Sequence, residues 1–104
     1  MKNPKVLVAQ MEITPNNPKE NFVKIKSFFS EAKQNNCDFI VFPEYCDGFF
    51  FPEFFVKDHP KKFLKTMQKL SKENNIYCVA GSILEKIDGK YFNSCYAISR
   101  KGEI

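Results

Sequence analysis

Glu44 is the side chain best placed for chemistry, because it directly follows a short apolar segment that ends at Pro43. In open sheets with parallel strands, ligands bind beyond the carboxyl ends of the strands, which is the position of Glu44. Flanked by Phe42 and Tyr45 and covered by a Phe-rich segment, its carboxylate would lose solvation and bind a proton more readily, as a general base must. The competing interpretation is an exposed loop residue, because unpaired glutamate is rarely buried.

Three other glutamates and the single histidine are the remaining candidates for acid-base work. Nothing in their spacing places a second carboxylate near Glu44, so we interpret the glutamates as solvated loop or strand-end residues: Glu12, Glu53 and Glu85. His59 precedes Pro60 at a predicted helix entry and lacks the partners that catalysis or metal binding would need. A capping or surface role is therefore expected for His59, and no metal site is predicted.

The chain has four cysteines, Cys37, Cys46, Cys78 and Cys95. Without a CxxC pair or a secretory signal, they predict neither a disulfide framework nor a zinc site. We expect four reduced, inert thiols, since most lie in apolar runs. Cys46, two residues after Glu44, is the one cysteine to test for reactivity, although no cationic or dipolar neighbour that would activate its thiolate is visible.

Phosphate and nucleic-acid binding have little support. The net charge is +4, and lysines recur along one predicted helix at Lys61, Lys65, Lys69 and Lys72. Lysines opposite an apolar stripe are typical of a solvated helix face, so a basic nucleic-acid module is a third hypothesis that rests on charge alone. The motifs GxGxxG and GxxxxGK are absent, which disfavours nucleotide binding of those types.

Hydrophobic periodicity predicts the elements that position Glu44. Residues 5–11 contain a continuous apolar run, typical of a strand covered on both faces. Asn17 is the predicted N-cap of a helix that begins at Pro18, with Glu20 at its third position. Residues 38–42 form the next apolar strand, so we expect a right-handed βαβ unit with parallel strands.

A long connection rich in phenylalanine, residues 43–60, follows the second strand. Connections of this length inside a compact domain are usually functional. The phenylalanines at positions 49–55 line a pocket or an oligomer contact in one interpretation. In the interpretation that we slightly prefer, several of them pack the loop onto the sheet.

The second half of the chain predicts a helix and a hairpin. Residues 61–75 carry a helical apolar stripe, and residues 76–84 form a third apolar strand. Asp88-Gly89 predicts a type I′ turn that leads into a strand at residues 91–99, so the sheet changes from parallel to antiparallel. Residues 101–104 look like a further turn with the beginning of another strand.

Length and composition limit the class of protein. With 104 residues, 43% hydrophobic and 27% charged, the chain has room for one α/β domain at most and is neither disordered nor collagen-like. No apolar segment reaches the length of a signal-peptide core or a membrane span, so a soluble cytoplasmic protein is expected.

Several segments, taken in order, resemble the opening of the carbon-nitrogen hydrolases, the nitrilase and amidase superfamily. The most specific is Phe42-Pro43-Glu44 after a βα unit. The matching segments cover essentially the whole chain: Val8-Ala9-Gln10, Asn21, DFIVFPE at residues 38–44, Gly48, IYCVAGS at residues 76–82, YFNS at residues 91–94, and Gly102-Glu103-Ile104.

The resemblance implies an α-β-β-α sandwich, an α/β fold with a mixed sheet. Residues 1–104 would form the N-terminal part of this single domain, in the order β-α-β-loop-α-β-hairpin. It also implies a Glu, Lys, Cys set that hydrolyses the C–N bond of a small amide or nitrile without a cofactor. Glu44 matches the general base, which takes a proton from the Cys nucleophile and later from water.

The same resemblance places the Lys and the nucleophilic Cys after the turn at Gly102, beyond Ile104. We therefore expect a truncated N-terminal portion that is inactive alone. Its full-length parent would be a cytoplasmic enzyme of nitrogen-compound metabolism, a homo-oligomer with no nucleic-acid or membrane partner. The choice among an amide, a carbamoylated amine and a nitrile stays open.

A hypothesis from another class is a small self-contained α/β binding or interaction module without catalysis. The Phe-rich loop would then be its contact surface. Cooperative unfolding without exposed apolar surface would favour this module over a fragment.

Overall fold

The computed structural model describes residues 3–104; Met1 and Lys2 lie outside the described part. The elements in chain order are β1 (Val6–Val8), α1 (Pro18–Gln34), β2 (Phe39–Val41), a 3₁₀ helix (Pro52–Phe54), α2 (His59–Glu73), β3 (Tyr77–Val79), β4 (Ile83–Ile87), β5 (Lys90–Ser94) and β6 (Ala97–Ile98). The main sheet has the order β1-β2-β3-β6, and β4 pairs with β5 in a separate hairpin. Strands β1, β2 and β3 are parallel and β6 is antiparallel to β3, so the predicted βαβ unit and the change of direction are confirmed.

Helix α1 begins at the predicted N-cap, Asn17, which Glu20 contacts through the Asn17 side chain. The Asn17 Oδ1 accepts a hydrogen bond from the Glu20 backbone N–H, and the Asn17 side-chain amide donates to the Glu20 carboxylate, each at 3.1 Å. Pro18 occupies the first turn, where a missing N–H costs nothing. The buried residues of the helix recur at three- and four-residue spacing: Asn21, Ile25, Phe29 and Ala32.

The two helices cover one face of the main sheet. Its central row is in register across all four strands and faces the helices: Leu7, Ile40, Cys78 and Ile98. The rings of Phe22 in α1 and Phe63 in α2 lie 5.8 Å apart, so the helices also contact each other. This is the arrangement expected when two successive right-handed crossovers run in the same direction along the sheet.

Within residues 3–104, no helix or second sheet covers the opposite face of the main sheet, which we call the bare face. Its two rows are also in register: Val6, Phe39 and Tyr77 in one, and Val8, Val41, Val79 and Ala97 in the other. Val8 is 72% exposed. The prediction that the first strand is covered on both faces is therefore wrong for this chain, because both helices lie on the same side.

The two long strands of the second half are each interrupted. Residues 76–84 divide into β3 and β4 at Gly81, whose φ of +70° ends the extended conformation. Residues 91–99 likewise divide into β5 and β6. The predicted type I′ turn is confirmed by φ values of 50° at Asp88 and 78° at Gly89. The chain also turns at Gly102, whose N–H donates to the Ser99 carbonyl at 2.9 Å.

Candidate active site

Glu44 leaves the sheet at the carboxyl end of β2, as the sequence predicts. The last ladder bond runs from the Phe42 N–H to the Val79 carbonyl at 3.0 Å. The Glu44 side chain is exposed, and its Oε2 accepts a hydrogen bond of 2.9 Å from the Asn93 side-chain amide. The expected loss of solvation does not occur within residues 3–104.

The Phe-rich loop packs beside Glu44 and does not cover it. The ring of Phe50 lies 5.9 Å from Tyr45, and that of Phe55 lies 5.7 Å from Tyr91. Phe51 and Phe54, at the 3₁₀ helix, are exposed. The packing interpretation therefore holds for part of the loop, while its tip presents apolar rings to solvent.

The turn after Glu44 is strained. Tyr45 has a φ of 51°, a left-handed conformation that is a genuine outlier for a bulky residue. Two hydrogen bonds hold it there: the Tyr45 N–H donates to Ser82 Oγ at 3.1 Å, and the Gly48 N–H donates to the Tyr45 carbonyl at 2.9 Å. Because the strained residue follows Glu44 directly, these bonds also fix the backbone that presents the carboxylate.

Asn21 anchors the far end of this turn from inside the protein. Its buried amide donates to the carbonyls of Thr14 at 2.8 Å and Asp47 at 3.1 Å, and its Oδ1 accepts from the Thr14 N–H at 2.8 Å. Gly48 fits against it at a φ of +91°, where an added Cβ would lie 2.5 Å from Asn21 Nδ2. The resemblance singled out Asn21 and Gly48, but their mutual contact appears only in three dimensions.

His59 is not on the surface, which corrects the sequence prediction. Its Nε2 lies 2.7 Å from Asp47 Oδ2, and the two side chains are 11% and 1% exposed. A carboxylate only accepts hydrogen bonds, so this bond requires a proton on Nε2. The ring centroids of Phe49 and His59 lie 4.4 Å apart in an edge-to-face arrangement. The feature of the sequence that could have indicated this pair is an acid, Asp47, and an imidazole, His59, on either side of an apolar segment.

The four cysteines are free thiols, as predicted. Cys46 is fully buried with its Sγ 3.7 Å from the Ala80 carbonyl, and burial raises the pKa of its thiol far above the ordinary range. Burial also raises the pKa of Cys78 to about 12. Both positions oppose thiolate formation, which argues against Cys46 as a nucleophile.

None of the other predicted carboxylates is found in contact with Glu44. Glu12 and Glu53 are exposed, in line with the prediction of solvated residues. Glu85 differs, because its Oε1 accepts a 2.5 Å hydrogen bond from the Tyr96 hydroxyl, which raises the pKa of Tyr96 to about 12. Residues 3–104 bring together no group of three His, Cys, Asp or Glu side chains that could hold a metal ion. Neither helix in that range has the length and apolar character needed to cross a membrane.

Sequence comparisons relate the chain to known proteins. The sequence model of the carbon-nitrogen hydrolase family matches residues 5–104. The chain is 32% identical over 93 residues to nitrilase homolog 2 of Dictyostelium discoideum, and 28% identical over 89 residues to an omega-amidase of Xenopus laevis. These alignments cover 85% and 82% of this chain but 28% and 32% of the relatives. The chain thus spans about a third of the length of the curated relatives that it matches.

The solved structures show the same fold at low sequence identity. An amidase from Nesterenkonia sp. superimposes with a TM-score of 0.83 at 13% identity, over 97% of this chain and 41% of the amidase. In a variant of that amidase, the acetamide moiety of fluoroacetamide is covalently attached to the active-site cysteine. The mixed α/β fold predicted from the sequence is confirmed as the nitrilase type.

Proposed function

The chain belongs to the carbon-nitrogen hydrolase family, and we propose that it supplies the general base, Glu44, of a domain that hydrolyses small amides. The observation that carries the proposal is the placement of Glu44. Its carboxylate stands at the carboxyl end of β2, on a strained turn that is held from two sides. Strain retained in this way is common where a side chain must be presented in one orientation.

One of the two carboxylate oxygens of Glu44 accepts a hydrogen bond, and the other is free to accept a proton. Oε2 accepts from Asn93, whereas Oε1 has no hydrogen-bond partner among residues 3–104. An exposed carboxylate oxygen can accept the proton of a thiol, and the resulting thiolate attacks the carbonyl carbon of an amide. The carboxylic acid then returns the proton to the departing amine, which leaves a thioester. Glu44 next takes a proton from water, the hydroxide cleaves the thioester, and the thiol is regenerated.

We place the nucleophilic Cys and the Lys of this reaction outside residues 1–104. The support is the burial of Cys46 and Cys78, which opposes thiolate formation at both positions. The bare face of the main sheet adds support, since a sandwich of two sheets needs a second sheet there. In this proposal the chain is an N-terminal portion that is inactive alone.

The proposal extends to substrate and assembly. The relatives are named as an omega-amidase and a nitrilase homolog, which supports a small-molecule amide as substrate, with a nitrile as the alternative. We extend the proposal to a cytoplasmic enzyme of nitrogen-compound metabolism that forms homo-oligomers and binds neither nucleic acid nor membranes.

The first test is ammonia release from short-chain amides and nitriles by the purified 104-residue chain. We expect no release above the buffer rate. The C95A variant removes an exposed thiol. If the chain shows turnover and C95A abolishes it, the proposal that the nucleophile lies elsewhere is contradicted.

The second test uses the complete polypeptide, read from the coding DNA beyond codon 104. We expect an in-frame continuation that carries a Lys and then a Cys, and an active amidase. E44Q should lower kcat/KM by about 10²- to 10⁴-fold, the usual worth of a general base. E53Q removes another exposed glutamate and should change kcat/KM less than about 2-fold. A lack of any such continuation, or an unaffected E44Q enzyme, would refute the proposal.

A further inference from the structure

We infer that Asn93 is a positioning residue for the carboxylate of Glu44, and that hairpin β4–β5 holds it in place. The inference rests on the proposed role of Glu44 as the base. It goes beyond that role because it assigns a function to a second side chain and to an element that lies outside the main sheet.

The contact joins two separate sheets. Asn93 belongs to β5, 49 positions after Glu44, and its Nδ2 lies 2.9 Å from Glu44 Oε2. A hydrogen bond to an ionised carboxylate is shorter and stronger than one between neutral groups. The amide therefore restricts the rotation of the carboxylate and engages one oxygen. The other oxygen is left to accept the thiol proton.

The segment that leads into the hairpin binds the Glu44 turn at a second point. Ser82, which directly precedes β4, accepts the Tyr45 N–H at 3.1 Å. The backbone after Glu44 and the side chain of Glu44 are thus both bound by the segment that contains β4 and β5. Asn93 and Ser82 thus make two separate hydrogen bonds to adjacent residues of this turn.

Register decides which residue reaches Glu44. Asn93 lies opposite Leu84, and the pairing is set by the two-residue turn Asp88-Gly89. Because side chains alternate along a strand, a slip of one residue would move Asn93 to the other face and present Phe92 or Ser94 instead. The turn at the tip of the hairpin therefore controls a contact at the candidate base.

The chemistry of an amide suits this role. Asn93 cannot take the proton in the pH range where enzymes work, so it does not compete with Glu44 as a base. Its removal leaves the carboxylate intact but free to adopt other rotamers. Misplacement of a reacting group by about 1 Å can cost about 10²-fold in rate, while substrate binding by other parts of the site is unaffected.

The contact is testable in the complete polypeptide without any turnover. In ¹⁵N–¹H spectra at neutral pH, one Asn93 side-chain amide proton should be shifted downfield by the carboxylate. We expect this shift in the wild type and its loss in E44Q. The control variant E85Q, which removes a carboxylate that contacts Tyr96 and not Asn93, should keep the shift. A shift that persists in E44Q, or an Asn93 amide that resembles free asparagine in the wild type, would overturn the inference.

Kinetics of the complete hydrolase give the second readout. N93A should lower kcat by about 10- to 100-fold with KM changed less than about 2-fold, and N93Q, which keeps the amide, should recover part of the loss. K90A, at an exposed position of the same strand, is the matched control and should behave as wild type. A normal kcat in N93A would refute the inference even if E44Q is inactive. An inactive complete protein with the spectroscopic contact intact would refute the proposed function alone.

Discussion

A single buried asparagine joins the two loops that surround the Glu44 turn. Asn21 satisfies three hydrogen bonds at once, two of them to Thr14 and one to Asp47. Buried polar side chains keep such bonds because an unpaired buried group costs free energy. Polar contacts in the interior therefore hold the candidate base, in addition to the apolar core.

Replacement of Asn21 by Ala should lower the free energy of unfolding by about 2–4 kcal/mol, because it leaves backbone groups of Thr14 and Asp47 without their partner. Urea denaturation followed by circular dichroism measures this. Q34A, at an exposed position of the same helix, is the control and should stay within about 0.5 kcal/mol of the wild type. Equal stability of the two variants would show that Asn21 is not an anchor.

Local chemistry could be predicted at the residue scale, and contacts through space could not. The position of Glu44 follows from a strand that ends at Pro43, and the Asn17 cap follows from the spacing of Asn17, Pro18 and Glu20. The pair between Asp47 and His59 depends on how the long loop folds back. Sequence spacing contains no information on that closure, so the sequence predicts only a capping or surface role for His59.

At the scale of elements, one glycine separates the hairpin from the main sheet. Gly81 lies where the chain passes close to the Glu44 turn: an added Cβ would meet the Pro43 carbonyl oxygen at 2.2 Å and Cys46 Sγ at 3.0 Å. Both the positive φ and the close approach require glycine there. The apolar run of residues 76–84 gave no sign of this break, since periodicity alone predicts one continuous strand.

Two glycine substitutions separate the effect of close packing from that of backbone conformation. G81A and G89A both place a side chain at positive φ, but only position 81 has atoms within 4 Å of the new Cβ. G89A should cost about 1–2 kcal/mol of unfolding free energy for the left-handed conformation. G81A should cost about 2–5 kcal/mol, since overpacking adds to it. Thermal or urea unfolding gives both values, and equal losses would contradict the close approach.

The sequence predicts the order of the elements better than it predicts the length of each strand. The alternation of apolar segments and helical stripes gave the βαβ unit, and Asp88-Gly89 gave the hairpin with its turn type. The lengths of the strands depend on where the backbone must bend to meet a neighbouring loop. That is a property of packing between distant segments, which a local pattern does not contain.

At the scale of the whole molecule, helices cover only one face of the main sheet within residues 3–104. In the helix-facing row Ile40, Cys78 and Ile98 are buried, whereas on the opposite face Val6 is 48% and Val8 72% exposed, and Phe39 and Tyr77 are partly exposed. Contiguous apolar surface of this kind usually marks an interface. A sandwich of two sheets needs a second sheet against this face, whereas the continuous apolar run of the first strand predicts cover on both faces.

The bare face should make the isolated chain bind a hydrophobic fluorescent dye and self-associate. V8K places a charge on this face and should reduce both effects. V23K is the matched control, because Val23 is 69% exposed on the outer side of α1 and Val8 is 72% exposed on the sheet. Dye fluorescence and sedimentation measure the outcome. Cooperative unfolding of a monomer that binds no dye would favour the self-contained interaction module instead.

The bond between His59 and Asp47 also closes a loop. It joins the two ends of the Phe-rich connection at 2.7 Å, so the segment between them is an Ω-loop anchored at its base. Doubling the length of a flexible closed loop costs only about 0.6 kcal/mol. Insertions or deletions near Phe51 and Phe54 should therefore cost little stability and leave the turn that carries Glu44 in place.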